Sequence, residues 1–158
     1  MDAKAFLREL MTSRHYQGQA VHVRELPPRE AVYATPSQPL PEVLASVLRR
    51  QNIHQLYSHQ AAALDAIAAG KDVVIVTGTA SGKTLCYNLP VVEALLKDPS
   101  ARAMHIFPTK ALAQDQLGSL QRWAGQDESV GAVLTPAVYD GDTPGAMVRS
   151  SFDLTMQV

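Results

Sequence analysis

Residues 73–90 read VVIVTGTASGKTLCYNLP: a β-branched run, six small residues from Thr77 to Gly82, then Lys83 and Thr84 opening a stretch with helical spacing. This order suits a phosphate-binding loop between a strand and a helix. In such a loop backbone amides cradle phosphates, a lysine neutralises their charge and a hydroxyl reaches Mg²⁺. The regular spacing G-x-x-x-x-G-K-[ST] would place a glycine at 77, whereas Thr77 stands there and Gly78 follows one residue late. That first position is the least demanding, because a nest of amides requires backbone angles and not a particular side chain. Gly82, Lys83 and Thr84 are intact, and Gly78, Ala80 and Ser81 keep the loop small.

Outward from the loop, elements alternate. DVVIV, 72–76, is a continuous apolar run, expected for a strand covered on both faces. Leu85, Leu89, Val92, Leu95 and Leu96 mark a helix over about 83–97. RAMHIF predicts a second strand, ALAQDQLGSLQRWA a second helix with Leu112, Leu117 and Leu120, and VGAVLTPAVYDGD a third, Pro-interrupted strand region. Upstream, Ser58 caps a helix that stops at Gly70, a good left-handed C′ residue. Strand–helix alternation of this length implies an α/β fold with a parallel sheet and right-handed crossovers. Ligands of such sheets sit at the carboxyl ends of the strands, where Thr77–Thr84, Pro108–Lys110 and Asp140–Asp142 fall.

Residues 1–52 have a different grammar. Phe6, Leu7, Leu10 and Met11 give an amphipathic helix over 2–13. QAVHVREL and EAVYA suggest a small strand pair or extended arm, and TPSQPLP is a proline linker that leads, with Pro41 at the first helical position, into a helix bearing Val43, Leu44, Val47 and Leu48. The expected division is a short N-terminal appendage and linker, 1–52, before a lobe at 53–158. The start is unlike a signal peptide, no segment has the length and apolarity of a membrane span, and one cysteine, Cys86, fits a reducing compartment. These point to a cytoplasmic protein. Cys86 reads as a small packed residue and not a nucleophile.

The formal net charge is −1, with seven Lys/Arg against five Asp/Glu over residues 1–50 and seven against ten beyond. Any contact with a polyanion must therefore be local. Two segments supply candidates. LYSHQ places Tyr57 and Gln60 at a helix start, a ring that can stack and an amide that can pair with the N6/N7 edge of adenine. FPTKALAQDQ puts Pro108, Thr109 and Lys110 where hydroxyl, ammonium and helix N-terminal amides can hold a sugar-phosphate backbone.

The succession HQ, strand, TGTASGKT, helix, strand, PTKALAQDQ resembles the Q motif, motif I and motif Ia of superfamily 2 DEAD/DEAH-box helicases. With YDGDTP at 139–144 it looks most like the bacterial mitomycin-repair and fungal Hrq-type DNA helicases, over about residues 20–150. The resemblance implies the first RecA-like lobe of an ATP-driven motor, with ATP and Mg²⁺ as cofactors and DNA favoured over RNA as the track. By motif, Gln60, with Tyr57 beside it, takes adenine, and Thr77, Gly78, Thr79, Ala80, Ser81 and Gly82 wrap the triphosphate. Lys83 contacts its β and γ phosphates, Thr84 ligates Mg²⁺, and Pro108, Thr109, Lys110 and Gln114 touch the strand.

The chain departs from the family in two ways. No strand ends in an Asp-Glu-x-His box; AVLTPAVYD ends at Asp140 with no Glu after it. A second lobe, which carries an arginine finger, is also missing, and SSFDLTMQV fits the family poorly. The expectation is an N-terminal fragment of a helicase with little or no ATPase activity of its own and with an apolar sheet face left uncovered. The alternative is a binding module that holds nucleotide or DNA without turnover. A small-molecule kinase is disfavoured, because no acceptor pocket or lid is evident.

Overall fold

The structure, a computed structural model, describes residues 2–25, 27, 30–141 and 143, and the backbone of 156–157. Asp142, Pro144 and most of SSFDLTMQV, all part of the reading above, lie outside them. Two compact units divide at Ala31/Val32.

The first unit contains α1 (Ala3–Thr12), capped by the Asp2 carboxylate accepting from the Lys4 amide; no residue of α1 is buried. Lys4 pairs with Glu25 at 2.7 Å. QAVHVREL forms no strand over its described residues. Its alternation is real, but a strand needs a neighbour to complete its hydrogen bonds, and none pairs with it.

The second unit runs β1 (Tyr33–Ala34), α2 (Glu42–Arg50), β2 (Leu56–Tyr57), α3 (Ser58–Ala68), α4 (Lys83–Lys97), β3 (Ala103–Met104), α5 (Lys110–Gln126), α6 (Glu128–Val133) and β4 (Met156–Gln157). Its core joins Leu44, Val47 and Leu48 of α2 to Leu64, Leu89, Val92, Leu95, Leu120, Trp123, Val130 and Leu134. The helical faces read from the sequence thus meet one another, except that Leu112 of α5 is exposed and stays outside the core. Gly70 takes φ +72° just past α3, as its C′ role requires. The proline linker is tied to α3, because Asp65 accepts from the Ser37 amide (2.7 Å) and hydroxyl (3.0 Å).

The sheet is sparser than the apolar runs predict. Tyr33–Ala34 pairs antiparallel with Leu56–Tyr57, and Ala103–Met104 pairs parallel with Met156–Gln157. Among the described residues nothing pairs with 72–76. Val73 and Ile75 are half-buried, whereas Val74 and Val76 are each 89% exposed. DVVIV is therefore covered on one face only, and Met104 and Ile106 are exposed as well.

A second correction concerns the expected third strand. Residues 128–133 are helical, because the Asp127 carboxylate accepts from the Ser129 (2.9 Å) and Val130 (3.3 Å) amides and starts a new helix directly after α5. Gly131 lets α6 approach: a Cβ there would lie 2.8 Å from the Ala124 carbonyl oxygen. Because that neighbour is backbone, Gly131→Ala should destabilise the chain by about 1–3 kcal/mol in urea unfolding.

His105 is 8% exposed, edge-on to Tyr87 and Phe107 at centroid distances of 5.2 and 6.0 Å, and neither ring nitrogen has a hydrogen-bond partner. Burial lowers its pKa below the ordinary histidine value. The unfolded chain thus binds a proton at higher pH than the folded one, so stability falls as pH drops below about 6.5, at most about 1.4 kcal/mol per unit. His105→Phe should flatten this part of a stability-against-pH curve measured by denaturant titration; an unchanged slope would remove His105 as its cause.

Candidate nucleotide and nucleic-acid site

The loop between residue 76 and α4 is shaped by two left-handed residues. Ala80 has φ +57° and Gly82, the residue before α4, has φ +73°. Alternation of left- and right-handed residues turns successive amides to one side, the geometry of an anion-binding nest. Ala80 holds this conformation despite its Cβ, which costs on the order of 1–2 kcal/mol.

Lys83 bends back into the loop. Its Nζ donates to the Gly78 carbonyl (2.5 Å), the Thr77 carbonyl (3.1 Å) and Ser81 Oγ (3.3 Å). Thr77 and Ser81 hydroxyls meet at 2.6 Å and close the loop across its mouth. Thr84 is half-buried in the first turn of α4, and among the described residues its hydroxyl makes no side-chain hydrogen bond. Thr79 is exposed. Two residues further on, Cys86 is fully buried and burial raises its thiol pKa, so it packs and does not react.

Gln60 connects this loop to the elements before it. Only 2% exposed, it accepts from the Tyr57 amide at 2.8 Å through Oε1 and donates from Nε2 to the Gly82 carbonyl at 2.8 Å. Its amide therefore spans 22 residues of chain. One Nε2 hydrogen and one Oε1 lone pair remain. Beside it, Tyr57 is sandwiched between Tyr33 (5.3 Å) and His59 (5.7 Å), both within 12° of parallel. Tyr33 was not singled out in the sequence. It arrives through register, Tyr33 opposite Tyr57 in the β1–β2 pair, and only the short aromatic-containing run EAVYA hinted at it. A cleft of about 450 Å³ opens on the Tyr33 side, lined by residues including Leu40, Leu48, Arg49 and His54. No loop residue lines that cleft, so the loop and not the cavity locates the chemistry.

The second group lies at the start of α5. Pro108, Thr109, Lys110 and Gln114 are all exposed, with Lys110 and Gln114 one turn apart on one helical face. Thr109 caps α5, its Oγ1 accepting from the Leu112 amide at 3.2 Å while keeping its own proton to donate. Asp140, which the sequence puts at the same ligand-binding edge as Pro108–Lys110, sits 3.8 Å from Lys110 Nζ. Among the described residues no helix is long and apolar enough to cross a membrane.

The site is thus a small-residue loop filled by the Lys83 ammonium and strapped to a preceding glutamine, on a helix-rich lobe. Residues 57–154 match the family model described as DEAD/DEAH box helicase, and the chain belongs to that family. It is 39% identical over 144 residues to the uncharacterized ATP-dependent helicase YprA of Bacillus subtilis, covering 91% of this chain and 19% of that protein. Identity to the ATP-dependent helicase hrq1 of Schizosaccharomyces pombe is 37% over 141 residues, covering 87% and 13%. Among solved structures, DUF1998 helicase MrfA bound to DNA superposes with TM-score 0.79 at 34% identity over 99% of this chain and 22% of that one. MrfA bound to DNA and AMPPNP gives 0.75 at 38% identity over 84% and 18%. The chain thus spans about a fifth or less of the length of these relatives.

The Gln60–Gly82 strap makes a quantitative prediction. A Cβ on Gly82 would lie 2.6 Å from Gln60 Nε2 and would also be forced to φ +73°. Gly82→Ala should cost about 2–3 kcal/mol in the wild-type chain, the left-handed penalty plus a lost hydrogen bond. In a Gln60→Ala background only the backbone part, about 1–2 kcal/mol, should remain. Equal costs in both backgrounds, measured by urea unfolding, would separate the two residues.

Proposed function

We propose that this chain is the nucleotide-binding part of an ATP-dependent DNA helicase or translocase, working in the cytoplasm. The observation that carries the reading is the Lys83 ammonium lodged among the Thr77, Gly78 and Ser81 oxygens, inside a loop that Ala80 and Gly82 bend into an amide nest. Phosphate oxygens present the same kind of acceptor as the carbonyls now facing Lys83, at a point where amides and an ammonium converge. The residues therefore fit a triphosphate. Mg²⁺, bound with it, would supply charge neutralisation at the β and γ phosphates.

In this reading Thr77–Gly82 wrap the phosphates, Lys83 moves from the loop carbonyls to the β/γ oxygens, and the unengaged Thr84 hydroxyl holds the metal. Gln60 keeps its bonds to Tyr57 and Gly82 and offers its remaining hydrogen and lone pair to adenine, with the Tyr33–Tyr57–His59 rings beside it. Pro108, Thr109, Lys110 and Gln114 contact the sugar-phosphate backbone of one strand. Parallel pairing of the apolar runs around DVVIV would form a RecA-like sheet, a reading that the parallel β3–β4 pair supports. The division proposed is an appendage and linker, 1–52, and a lobe, 53–158, with Leu44, Val47 and Leu48 of α2 packing into the lobe's core.

Binding of a fluorescent ATP analogue and of its guanine counterpart tests both halves of the nucleotide site. Lys83→Ala should weaken both about 10- to 100-fold, the worth of charged hydrogen bonds to phosphate. Gln60→Ala should reduce the preference for adenine over guanine. Unaltered affinity in Lys83→Ala would contradict the phosphate assignment, and unaltered preference in Gln60→Ala the adenine one.

A further inference from the structure

Asp140 and Thr143 share a hydrogen-bond network. The Asp140 amide donates to Thr143 Oγ1 at 2.9 Å, the Thr143 amide donates back to the Asp140 carbonyl at 3.0 Å, and Thr143 Oγ1 donates to Asp140 Oδ1 at 3.3 Å. One carboxylate oxygen is thereby held by the turn, and the other, Oδ2, faces Lys110 Nζ at 3.8 Å. The Asp140 side chain is 23% exposed and that of Lys110 55%. An aspartate left to choose its own rotamer on an open surface would contribute little to such a pair. This one is oriented before the lysine arrives, so it loses less side-chain freedom on pairing.

The location gives the pair its meaning. Lys110 is the first residue of α5, beside the helix N-terminus and the Thr109 cap, where a negative charge is favoured by the helix dipole. Asp140 places a carboxylate next to the cation that a nucleic-acid phosphate would contact. We infer that Asp140 is a positioning residue that competes with backbone phosphate for Lys110, holding the lysine aligned while the strand is absent and lowering the affinity once the strand is present. This rests on the assignment of Lys110 to the strand. A motor that advances along a strand must release each phosphate it grips, and a built-in carboxylate gives the lysine an alternative partner at every release.

The ion balance gives a signature that a purely structural role lacks. When phosphate replaces Asp140 on Lys110, the cations freed from the nucleic acid are offset by cations taken up at the exposed carboxylate. Replacing Asp140 with asparagine keeps the Oδ1 acceptor for Thr143 but removes the charge. Counterion release then goes uncompensated.

The test is fluorescence anisotropy with a labelled single-stranded oligothymidine across a salt series. The proteins compared are the wild-type chain, Asp140→Asn, Lys110→Ala and the double variant. Asp140→Asn should bind about 3- to 10-fold more tightly at low salt, with the slope of log K against log salt steeper by about 0.7. Lys110→Ala should weaken binding, and adding Asp140→Asn to it should change nothing further. If Lys110→Ala weakens binding but Asp140→Asn leaves affinity and slope unchanged, or tightens binding equally without Lys110, the competition is refuted while the strand assignment stands. If Lys110→Ala has no effect, or the wild-type chain fails to bind the oligonucleotide, the strand assignment itself falls, and the competition with it.

Discussion

One side-chain amide, that of Gln60, fixes the relation between the phosphate loop and the elements that precede it. Loops of small residues have little packing of their own, and a conformation with left-handed residues at 80 and 82 is held only where something outside supports it. Gln60 supplies that support from the buried end of α3, with one bond to the Tyr57 backbone and one to the Gly82 carbonyl. Being nearly excluded from water, both bonds operate in a low-dielectric setting where losing either leaves a polar group unsatisfied. The same strap ties Tyr57, which β1–β2 register stacks on Tyr33, to the loop, so the aromatic surface and the loop share one connecting residue.

Below the strap the architecture is mainly helical. The apolar faces of α2, α3, α4, α5 and α6 converge on Leu89, Leu120 and Trp123, while Val74, Val76, Met104 and Ile106 remain exposed. Exposed apolar side chains on alternate positions are the pattern of a sheet face with no covering layer among the described residues. The polar contacts of the site are not affected by this, since they lie within the loop, at α3 and at the start of α5.

How much of this was legible in the residues follows from the range of each interaction. Helix α4 begins at Lys83 and ends at Lys97 as its leucine spacing indicated, and Gly70 ends α3 as a left-handed C′ residue, because caps and periodicity are local. The Lys-Thr pair and its loop were legible for the same reason. Residues 130–133 were misread as strand because β-branched content outweighed a single capping aspartate, Asp127, whose two hydrogen bonds decide the matter. DVVIV carried the composition of a doubly covered strand, yet coverage depends on neighbours that composition does not encode. Tyr33 escaped notice on the same principle, as did the pairing of Asp140 with Lys110. Tyr33 meets Tyr57 through strand register, and Asp140 meets Lys110 across 29 residues of intervening chain.

The claim at the centre of this account is that Gln60 holds the loop at 77–82 in the shape proposed to receive phosphate. Amide hydrogen exchange over residues 57–60 and 77–84, compared between the wild-type chain and Gln60→Ala without nucleotide, addresses it directly. Faster exchange in both segments of the variant, with protection of the α5 core unchanged, is the expected result. Equal exchange in the two proteins would show that the loop keeps its shape unaided, and the strap would then be a consequence of the loop's conformation and not its cause.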